Sequence, residues 1–255
     1  MAFERTDALQ RRLANLRPLT SDQLVRLRGM LKGDEIAAVY NSNALEGNTL
    51  TLGETALVIE QGLTIGGKSL ADHLEAIDHI EALRYVENLA RDPDGLSQRT
   101  LREIHSLVLR RSNADAAGKY RDIPVTIGGT TYAPPGPLFV GERMAAVFER
   151  YVSHRDAEHP AIVAADLHQG IVDVHPFEDG NGRTARLAMN LHLLQRSFPL
   201  TIVAVTDREH YITALEAARN GSNAFREFVI KRVEISLKRY LTAIEPPAEG
   251  VNFSL

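Results

Sequence analysis

The sequence predicts an all-α protein, a helical bundle interrupted by one short β-hairpin. Apolar residues recur at spacings of three and four over most of the chain, as in the run 77–86, and this is the period of a helix that buries one face. One stretch departs from that period, IPVTIGGTTYAPP at 123–135. There, β-forming residues flank Gly128-Gly129 and two prolines close the run, which predicts the hairpin.

The periodicity predicts helices over most of the chain, with boundaries accurate to about two to four residues. The predicted ranges are about 20–41, 51–61, 69–91, 97–111, 140–154, 160–174, 181–197, 207–219 and 223–244. Several starts carry a residue whose side-chain oxygen can accept from a free backbone N–H. These predicted N-caps are Thr20 or Ser21, Ser69, Ser97 and Asp207.

The length of the chain allows one large domain or two small ones, since it has 255 residues and 44% hydrophobic content. The sequence TIGGKS near residue 65 suggests a boundary between an N-terminal helical segment, 1–65, and a main body, 66–245. The last residues, 246–255, are rich in proline and polar residues, and we expect a flexible tail.

Charge and composition exclude several classes of protein. A net charge of -4 and a pI near 6.1 argue against a protein that neutralises a nucleic-acid backbone. The absence of cysteine excludes disulfides, thiolate metal sites and a cysteine nucleophile. Residues 1–12 are too charged for a secretory signal, and no stretch is long and apolar enough to span a bilayer. We therefore expect a cytoplasmic protein without nucleic-acid or membrane partners.

The densest cluster of reactive residues is HPFEDGNGRTAR at 175–186. Gly180 and Gly182 allow a tight turn, and a helix that begins there would direct backbone N–H groups at an anion. Arg183 and Arg186 are three residues apart, so both can reach one polyphosphate from the same helical face. The cluster predicts a phosphate site.

Two further side chains of this cluster suggest chemistry at the bound phosphate. Asp179 precedes the turn, where a carboxylate can hold a magnesium ion that also binds phosphate oxygens and water. His175 is then available as a base. Each of these features alone is more often structural, and it is their coincidence that favours a functional site.

Two other interpretations of the sequence are weaker. The dinucleotide-binding fingerprint fails, because no third glycine follows Gly182 and no strand precedes the loop. A metal-dependent phosphohydrolase built on His-Asp pairs is the other all-α possibility. Here, however, the pairs have the reversed order, in Asp72-His73 and Asp78-His79, and they lie in a helix whose polar face needs charges anyway.

The cluster at 175–186 matches the motif HPFx[D/E]GNGRxxR position for position, and the chain is on this basis similar to Fic-domain proteins. The resemblance extends to GKYR at 118–121, to the predicted hairpin and to YITALEAA at 211–218. The sequence looks most like the core of the endoplasmic-reticulum Fic enzyme of animals and its short bacterial relatives. The resemblance implies the Fic fold, a helical bundle in which the hairpin serves as a flap.

The activity implied by the resemblance is AMP transfer from ATP to a Ser, Thr or Tyr hydroxyl of a protein, with release of pyrophosphate. His175 would be the general base, and Asp179 would hold Mg²⁺ or Mn²⁺. The loop and the helix start would bind ATP through residues that share the phosphate side of the site. These are Asp179, Gly180, Asn181, Gly182, Arg183, Thr184, Ala185 and Arg186.

The flap and one tyrosine complete the implied site. The flap would hold a segment of the target protein by strand addition, so that the target hydroxyl faces His175. Ile127, Gly128, Gly129 and Thr130 would lie near the nucleotide, and Tyr211 is expected to line the adenine pocket, although a core tyrosine fits the sequence equally well.

A second motif precedes the main body, in SNALEG at 42–47. Ser42, Glu46 and Gly47 match the inhibitory motif [S/T]xxxE[G/N] of many Fic proteins, although an ordinary helix end would also use such residues. In the regulatory interpretation, Glu46 pairs bidentately with Arg186 and occupies the guanidinium that the γ-phosphate needs.

The sequence leaves three hypotheses open. The favoured one is an autoinhibited AMP transferase of proteins. The second is a Fic enzyme that mainly removes AMP, with Glu46 activating water. The third is a nucleotide-binding interaction protein without turnover, which the intact His175 disfavours. A homodimer is possible in each case.

Overall fold

The computed structural model describes residues 2–245, and this part of the chain consists of α-helices joined by turns and loops. Its helices are α1 (Ala2–Asn15), α2 (Ser21–Leu45), α3 (Leu52–Gln61), α4 (Leu70–Leu89), α5 (Gln98–Val108), α6 (Val140–His154), α7 (Pro160–Val174), α8 (Asn181–Gln195), α9 (Arg208–Arg219) and α10 (Ala224–Ile244). Two short 3-10 turns precede α6 and α9. The expected tail at 246–255 lies outside the described residues.

The helices predicted between 20 and 244 are all present, and the all-α class is confirmed. Helix α1 was not predicted, because its first residues are mostly charged. Its packing against α10 nevertheless has a sequence signal. Thr6, Leu9 and Leu13 follow the three–four spacing, Thr6 is buried, and the two leucines pack against the core.

Helix α2 is longer than the predicted range 20–41 because tertiary contacts override local propensity. Asn41, Ser42 and Asn43 are poor helix formers, which is why the prediction ended there. In the fold, Asn41 Oδ1 accepts from Val205 N at 2.8 Å and Asn43 Oδ1 lies 3.0 Å from His79 Nδ1. The helix therefore continues to Leu45, and Gly47 turns the chain with a φ of 100°.

Three of the predicted N-caps are confirmed. Thr20, Ser69 and Ser97 each accept from a backbone N–H of the first helical turn. Asp207 precedes α9 as predicted, but its side chain caps nothing, since the carboxylate pairs with the Arg232 guanidinium of α10. An ion pair with a neighbouring helix has replaced the local cap.

The centre of the bundle is α8, which packs against α7, α4 and α5. Its side chains are buried nearly all the way round, among them Leu187, Met189 and Leu191. A helix in this position cannot shift without disturbing several neighbours. The loop at 175–180 that joins α7 to α8 is therefore held at both ends by rigid elements.

The predicted β-hairpin at 123–135 is not formed in the described structure. The segment is an irregular loop with a turn at Gly128-Gly129, where Gly129 has a φ of 81°. Pro124, Pro134 and Pro135 provide no N–H donors for a ladder. The carbonyls at both ends of the segment accept instead from the Arg121 side chain, so the two arms do not pair with each other.

No helix within residues 2–245 is both long enough and apolar enough to cross a bilayer.

Candidate active site

The loop at 175–180 begins and ends with left-handed backbone. His175 has a φ of 50°, which is unusual for a residue with a side chain, and its N–H still closes the last turn of α7 on Ile171 O at 2.9 Å. Gly180 has a φ of 72° and starts α8. A non-glycine residue held in this conformation marks a site that the surroundings over-determine.

The imidazole of His175 is oriented for use as a base. Its Nδ1 lies 3.3 Å from Val172 O, and a carbonyl only accepts, so the neutral ring carries its proton on Nδ1 and leaves Nε2 free. Burial lowers the pKa of His175, the bond to Val172 opposes this, and the charge of Arg121 lowers the pKa further. His175 is therefore neutral at pH 7.

The inner side of the loop is closed by hydrogen bonds and ring stacking. Asn181 accepts from Phe177 N and donates to Phe177 O, both at 2.9 Å. The Phe177 ring stacks on His105 with centroids 3.6 Å apart. His105 accepts from Gly118 N at 2.9 Å, so its Nε2 carries the proton and donates to Asp179 O at 3.0 Å. The Asn181 side chain thus shapes the loop from within.

The Asp179 carboxylate lies on the outer side of the loop and its side chain is 61% exposed. It accepts from Gly180 N at 2.6 Å and from Arg183 Nη2 at 3.1 Å. A lone exposed carboxylate beside a helix N-terminus fits Mg²⁺, which takes one or two carboxylates together with phosphate oxygens and water. The structure thus places Asp179 at the exposed edge of the loop, and its role as a metal ligand stays a prediction.

Arg183 is directed beneath the loop and is 2% exposed. Its guanidinium lies between two carboxylates, with Nη1 3.3 Å from Glu75 Oε1 and Nη2 3.1 Å from Asp179 Oδ2. Glu75, on α4, also accepts from Asn48 Nδ2 at 2.8 Å. Glu75 was not predicted, because one acid on the polar face of a helix has no sequence signature.

Arg186 is the most completely bonded cation of the site and is 4% exposed. Its Nε donates to Ser42 Oγ and its Nη2 to Ser42 O, both at 2.9 Å. Nη2 also donates to Glu46 Oε1 at 2.7 Å, and Nη1 to Tyr211 Oη at 3.4 Å. Burial alone would lower the pKa of Arg186, but Glu46 and Tyr211 raise it above its usual value.

The predicted contact between Glu46 and Arg186 therefore exists, but it is not bidentate. One carboxylate oxygen reaches Arg186, because Ser42 occupies the remaining positions on that side of the guanidinium. The carboxylate lies directly over the first turn of α8. A Cβ added to Gly182 would be 2.2 Å from Glu46 Oε1, so a larger residue at this position would have to displace the carboxylate.

A cavity of about 130 Å³ connects these groups to the 123–135 segment. It is lined by Ile127, Gly128, Thr130, His175, Gly182, Tyr211 and Glu46, and by residues of α9. A ligand pocket usually encloses roughly 300–1,000 Å³, so this space is small for a nucleotide while Glu46 is in place. A larger cavity, of about 550 Å³, lies between α6, α7 and the start of α10, but no residue of the loop lines it.

The remaining predicted site residues make fewer side-chain contacts with the cavity, with Tyr211 as the exception. Thr184 and Ala185 have fully buried side chains behind the loop, so only their backbone can approach a ligand. Gly129 turns the 123–135 segment but does not line the cavity. Tyr211 lines the cavity and bonds both Arg186 and His168, at 3.4 and 3.0 Å, so it supports the arginine as well.

The reversed Asp-His pairs of α4 do not form a metal centre. The Asp72 carboxylate accepts from Thr49 and Ser69, while Asp78 pairs with Arg111 at 2.8 Å and caps the turn after α5. Within residues 2–245, no group of three or more His, Asp or Glu side chains could hold a metal ion. The described geometry therefore gives the phosphohydrolase interpretation no support.

An all-helical fold that presents this loop between two buried helices is the architecture of a Fic protein. The sequence model of the Fic/DOC family matches residues 95–193. A solved structure of a segment of Fic-1 from Caenorhabditis elegans is 33% identical, with a TM-score of 0.82 over 95% of this chain and 71% of that one. The chain belongs to the Fic family.

Two other comparisons agree with this assignment. A Fic-domain signalling protein of Bacteroides thetaiotaomicron has a TM-score of 0.84 at 28% identity, over 96% of this chain and 100% of that one. Protein adenylyltransferase fic-1 of Caenorhabditis elegans is 34% identical over 229 residues, which are 88% of this chain and 45% of the relative. The chain spans a little under half the length of the curated relatives it matches.

The Asn181 side chain provides a test of how the loop is held together. In Asn181→Asp, Phe177 O would lose its donor and face a buried carboxylate. We expect a loss of about 1–3 kcal/mol in the free energy of unfolding. Denaturant unfolding of the purified variant measures it. The matched control is Asn88→Asp, which removes an exposed amide that donates to Arg84 O, and there we expect less than about 0.5 kcal/mol. Equal losses in both variants would contradict the structural role of Asn181.

Proposed function

We propose that this chain transfers AMP from ATP to a protein hydroxyl and that Glu46 holds it in an inhibited state. One observation carries the proposal: the Glu46 carboxylate bonds Arg186 at the phosphate-binding end of α8, while an oriented neutral histidine stands at the other end of the loop. The curated name of the relative in Caenorhabditis elegans, a protein adenylyltransferase, supports the same reaction.

The chemistry requires a base and an anion site. The free Nε2 of His175 accepts the proton of the target hydroxyl, the hydroxyl oxygen attacks the α-phosphorus, and the bond to the β-phosphate oxygen breaks, releasing pyrophosphate. The N–H groups at the start of α8 stabilise negative charge on the phosphates, aided by the helix dipole. The side chains of Arg183 and Arg186 lie at the same helix end and supply positive charge to the polyphosphate.

Asp179 would hold a divalent cation for this reaction. When bound, Mg²⁺ or Mn²⁺ neutralises charge on the phosphate oxygens. Asp179 itself is fixed by Gly180 N, so its carboxylate keeps one orientation relative to the loop. Its exposure leaves room for water and phosphate around the ion.

The segment at 123–135 is our proposed docking site for the target. Its middle lines the cavity beside His175, and its backbone is not paired within a sheet. Free N–H and C=O groups in an extended segment can add a strand from another chain. A target strand held there would carry its hydroxyl towards the imidazole.

Inhibition follows from competition for Arg186. A phosphate that reaches the Nη2 edge of this arginine has to displace Glu46, since both are anions and Ser42 already accepts from Nε and from the other Nη2 hydrogen. The small cavity supports the same view, because the Glu46 side chain occupies part of the space that a nucleotide needs.

Hydrolytic removal of AMP is the second candidate function. Its support is that Glu46 lines the cavity with His175 and uses only one carboxylate oxygen for Arg186, so the other can accept a proton from water. The two functions respond oppositely to Glu46: transfer is inhibited by the carboxylate, whereas hydrolysis depends on it. A modified target incubated with Glu46→Gly therefore distinguishes them, because removal would stop.

Glu46→Gly should increase AMP transfer. A surface ion pair contributes about 0.2–1 kcal/mol, but each ~1.4 kcal/mol by which this partly buried pair favours the inhibited arrangement reduces the competent fraction tenfold. We expect self-labelling with radiolabelled ATP to rise at least about tenfold.

Two controls accompany this variant. Glu46→Gln removes the charge while keeping the helix end and should also activate. Glu60→Gln breaks an exposed ion pair of the same length, 2.7 Å to Lys32, and should leave labelling unchanged. Unchanged or lower labelling in folded Glu46→Gly would refute the inhibitory role and leave 42–47 as a plain helix end.

Removal of the base should abolish transfer without affecting nucleotide binding. In the Glu46→Gly background, we expect His175→Ala to lower the labelling rate by about 10²–10⁴. Calorimetry should find nearly the same affinity for ATP, because the base acts on the target. A rate above a tenth of the background value would exclude His175 as the base.

The pH profile provides a second measurement of the same residue. The base works only when it is neutral, and its lowered pKa extends the neutral range downwards. The rate should therefore hold through pH 6.5, where an ordinary imidazole is about half protonated, and fall only below it. A half-maximal rate above pH 6.5 would contradict this.

Transfer should depend on a divalent cation held by Asp179. We expect no labelling in the presence of a chelator, recovery with Mg²⁺ or Mn²⁺, and a sharp decrease in Asp179→Ala at every metal concentration. Glu178→Ala is the matched control, since it removes the exposed neighbouring acid and should retain activity. Stoichiometric zinc in the purified protein would instead favour the phosphohydrolase interpretation.

A further inference from the structure

Arg121 is a buried arginine that bonds only to main-chain carbonyls. It lies in the loop after α5 and is 3% exposed. Burial lowers the pKa of Arg121, and no carboxylate counteracts this among the described residues. A buried cation without an acidic partner needs several hydrogen-bond acceptors. The acceptors of Arg121 therefore indicate which parts of the backbone this residue holds in place.

The first group of acceptors is the end of α7. Arg121 Nε donates to His175 O at 2.7 Å, and Nη2 approaches Val174 O at 3.5 Å. The backbone N–H of Arg121 donates to Pro176 O at 2.9 Å. These carbonyls have no partner within the helix, and a cation is favoured at this end of the helix dipole. Arg121 thus holds the backbone on both sides of the left-handed His175.

The second group is formed by the two ends of the 123–135 segment. Nη1 donates to Ile123 O at 2.9 Å and Nη2 donates to Pro135 O at 2.5 Å. These are the bonds that replace a hairpin ladder. A single rigid guanidinium therefore joins the beginning of the segment, its end, and the backbone of the histidine.

We propose that Arg121 is a positioning residue that fixes the target-docking segment and the imidazole of His175 relative to each other. The proposal rests on the proposed function, in which 123–135 docks the target and His175 is the base. Transfer requires the hydroxyl and Nε2 to meet within hydrogen-bond reach. A planar group with five donors can set that distance, whereas an ammonium cannot span the same carbonyls.

The charge of Arg121 provides a readout that a purely structural role would not change. Arg121 and Arg219 lower the pKa of His175, and Glu46 raises it. Arg208 and Glu216 of α9 share the cavity with the imidazole, while α8 contributes the uncharged Gly182. Loss of the Arg121 charge should therefore raise the pKa of His175, and loss of its shape alone should not.

The experiment compares two substitutions at Arg121 with a matched control. Arg121→Lys keeps the positive charge but loses the planar guanidinium with its five donors, and Arg121→Gln loses both the charge and the guanidinium. Arg102→Lys is the control, because Arg102 also donates to a carbonyl of this loop, Gly118 O at 2.8 Å, but does not contact the docking segment. Thermal melting establishes which variants fold, and Arg121→Lys decides the test if Arg121→Gln does not.

The activity arm uses self-labelling with ATP in the Glu46→Gly background. Misplacement of reacting groups by about 1 Å can cost on the order of 10² in rate. We expect the labelling rate at saturating ATP to fall at least tenfold in Arg121→Lys. The affinity for ATP, measured by calorimetry, should stay within about twofold. Arg102→Lys should change neither quantity.

Two further measurements do not depend on activity. NMR titration of the histidine side chains, with His175 assigned by its loss in His175→Ala, should give a higher pKa in Arg121→Gln and the parent pKa in Arg121→Lys. The chain has no cysteine, so spin labels attach only at introduced sites. Labels at Thr131→Cys and Glu209→Cys should give a narrow distance distribution in the parent and a broad one in both Arg121 variants.

The outcomes separate the two proposals. If Glu46→Gly does not label at all, the proposed function fails, and the titration and the spin-label distances still decide the role of Arg121. A folded Arg121→Lys with a rate within twofold of its background or an unchanged distance distribution would overturn the positioning role. An equal loss of ATP affinity and rate would also overturn it, in favour of a role in nucleotide binding.

Discussion

The site depends on one buried guanidinium, that of Arg186. It is attached to the central helix α8 and is 4% exposed, so it cannot be solvated by water and must be satisfied by protein groups or by a ligand. Its partners come from other elements: Ser42 on α2, Glu46 directly after that helix, and Tyr211 on α9. A buried cation left without partners would cost several kcal/mol. Helix α2, the turn after it, α8 and α9 are therefore tied together at this guanidinium.

The close approach of these elements explains the small residue at 182. The Glu46 carboxylate lies where a side chain at this position would begin, and an added Cβ would also be 2.9 Å from Arg186 Nη1. Gly182 thus serves two purposes, as a free N–H at the start of α8 and as space for the acid. The phosphate motif and the motif at 42–47 are one structural unit, although more than a hundred residues separate them.

The sequence was sufficient where local rules decide the structure. Apolar spacing located most helices, side-chain caps located several starts, and the dense motif at 175–186 identified the loop. It was insufficient where distant groups decide. The end of α2 was placed too early because the partners of Asn41 and Asn43 lie on other elements. The prediction of a hairpin was wrong, because the prolines of 123–135 lack backbone N–H donors and the carbonyls at both ends of the segment accept from Arg121.

Two residues that support the loop were missed for a related reason. Glu75 and His105 bond Arg183 and Asp179 O, and neither has a sequence neighbour that indicates such a partner. Every residue has a backbone carbonyl, so an arginine or histidine that bonds a carbonyl does not require a particular residue type at the partner position. Such a contact therefore cannot be recognised from the sequence. The segment GKYR at 118–121 contributes further bonds to the loop at 175–180. The backbone N–H of Gly118 donates to His105, and the backbone N–H of Arg121 donates to Pro176 O.

The two partners of the ion pair at the site are not equally fixed. Glu46 is the last residue of its turn and its side chain is 42% exposed, with a single bond to Arg186. Arg186 keeps its bonds to Ser42 and Tyr211 whether or not Glu46 is present. In the proposed function, an incoming phosphate would need to move only the acid, and it would meet a cation that is already oriented. Because reorganisation of the arginine is not required, the contacts that hold the proposed inhibited state would also preorganise the proposed active one.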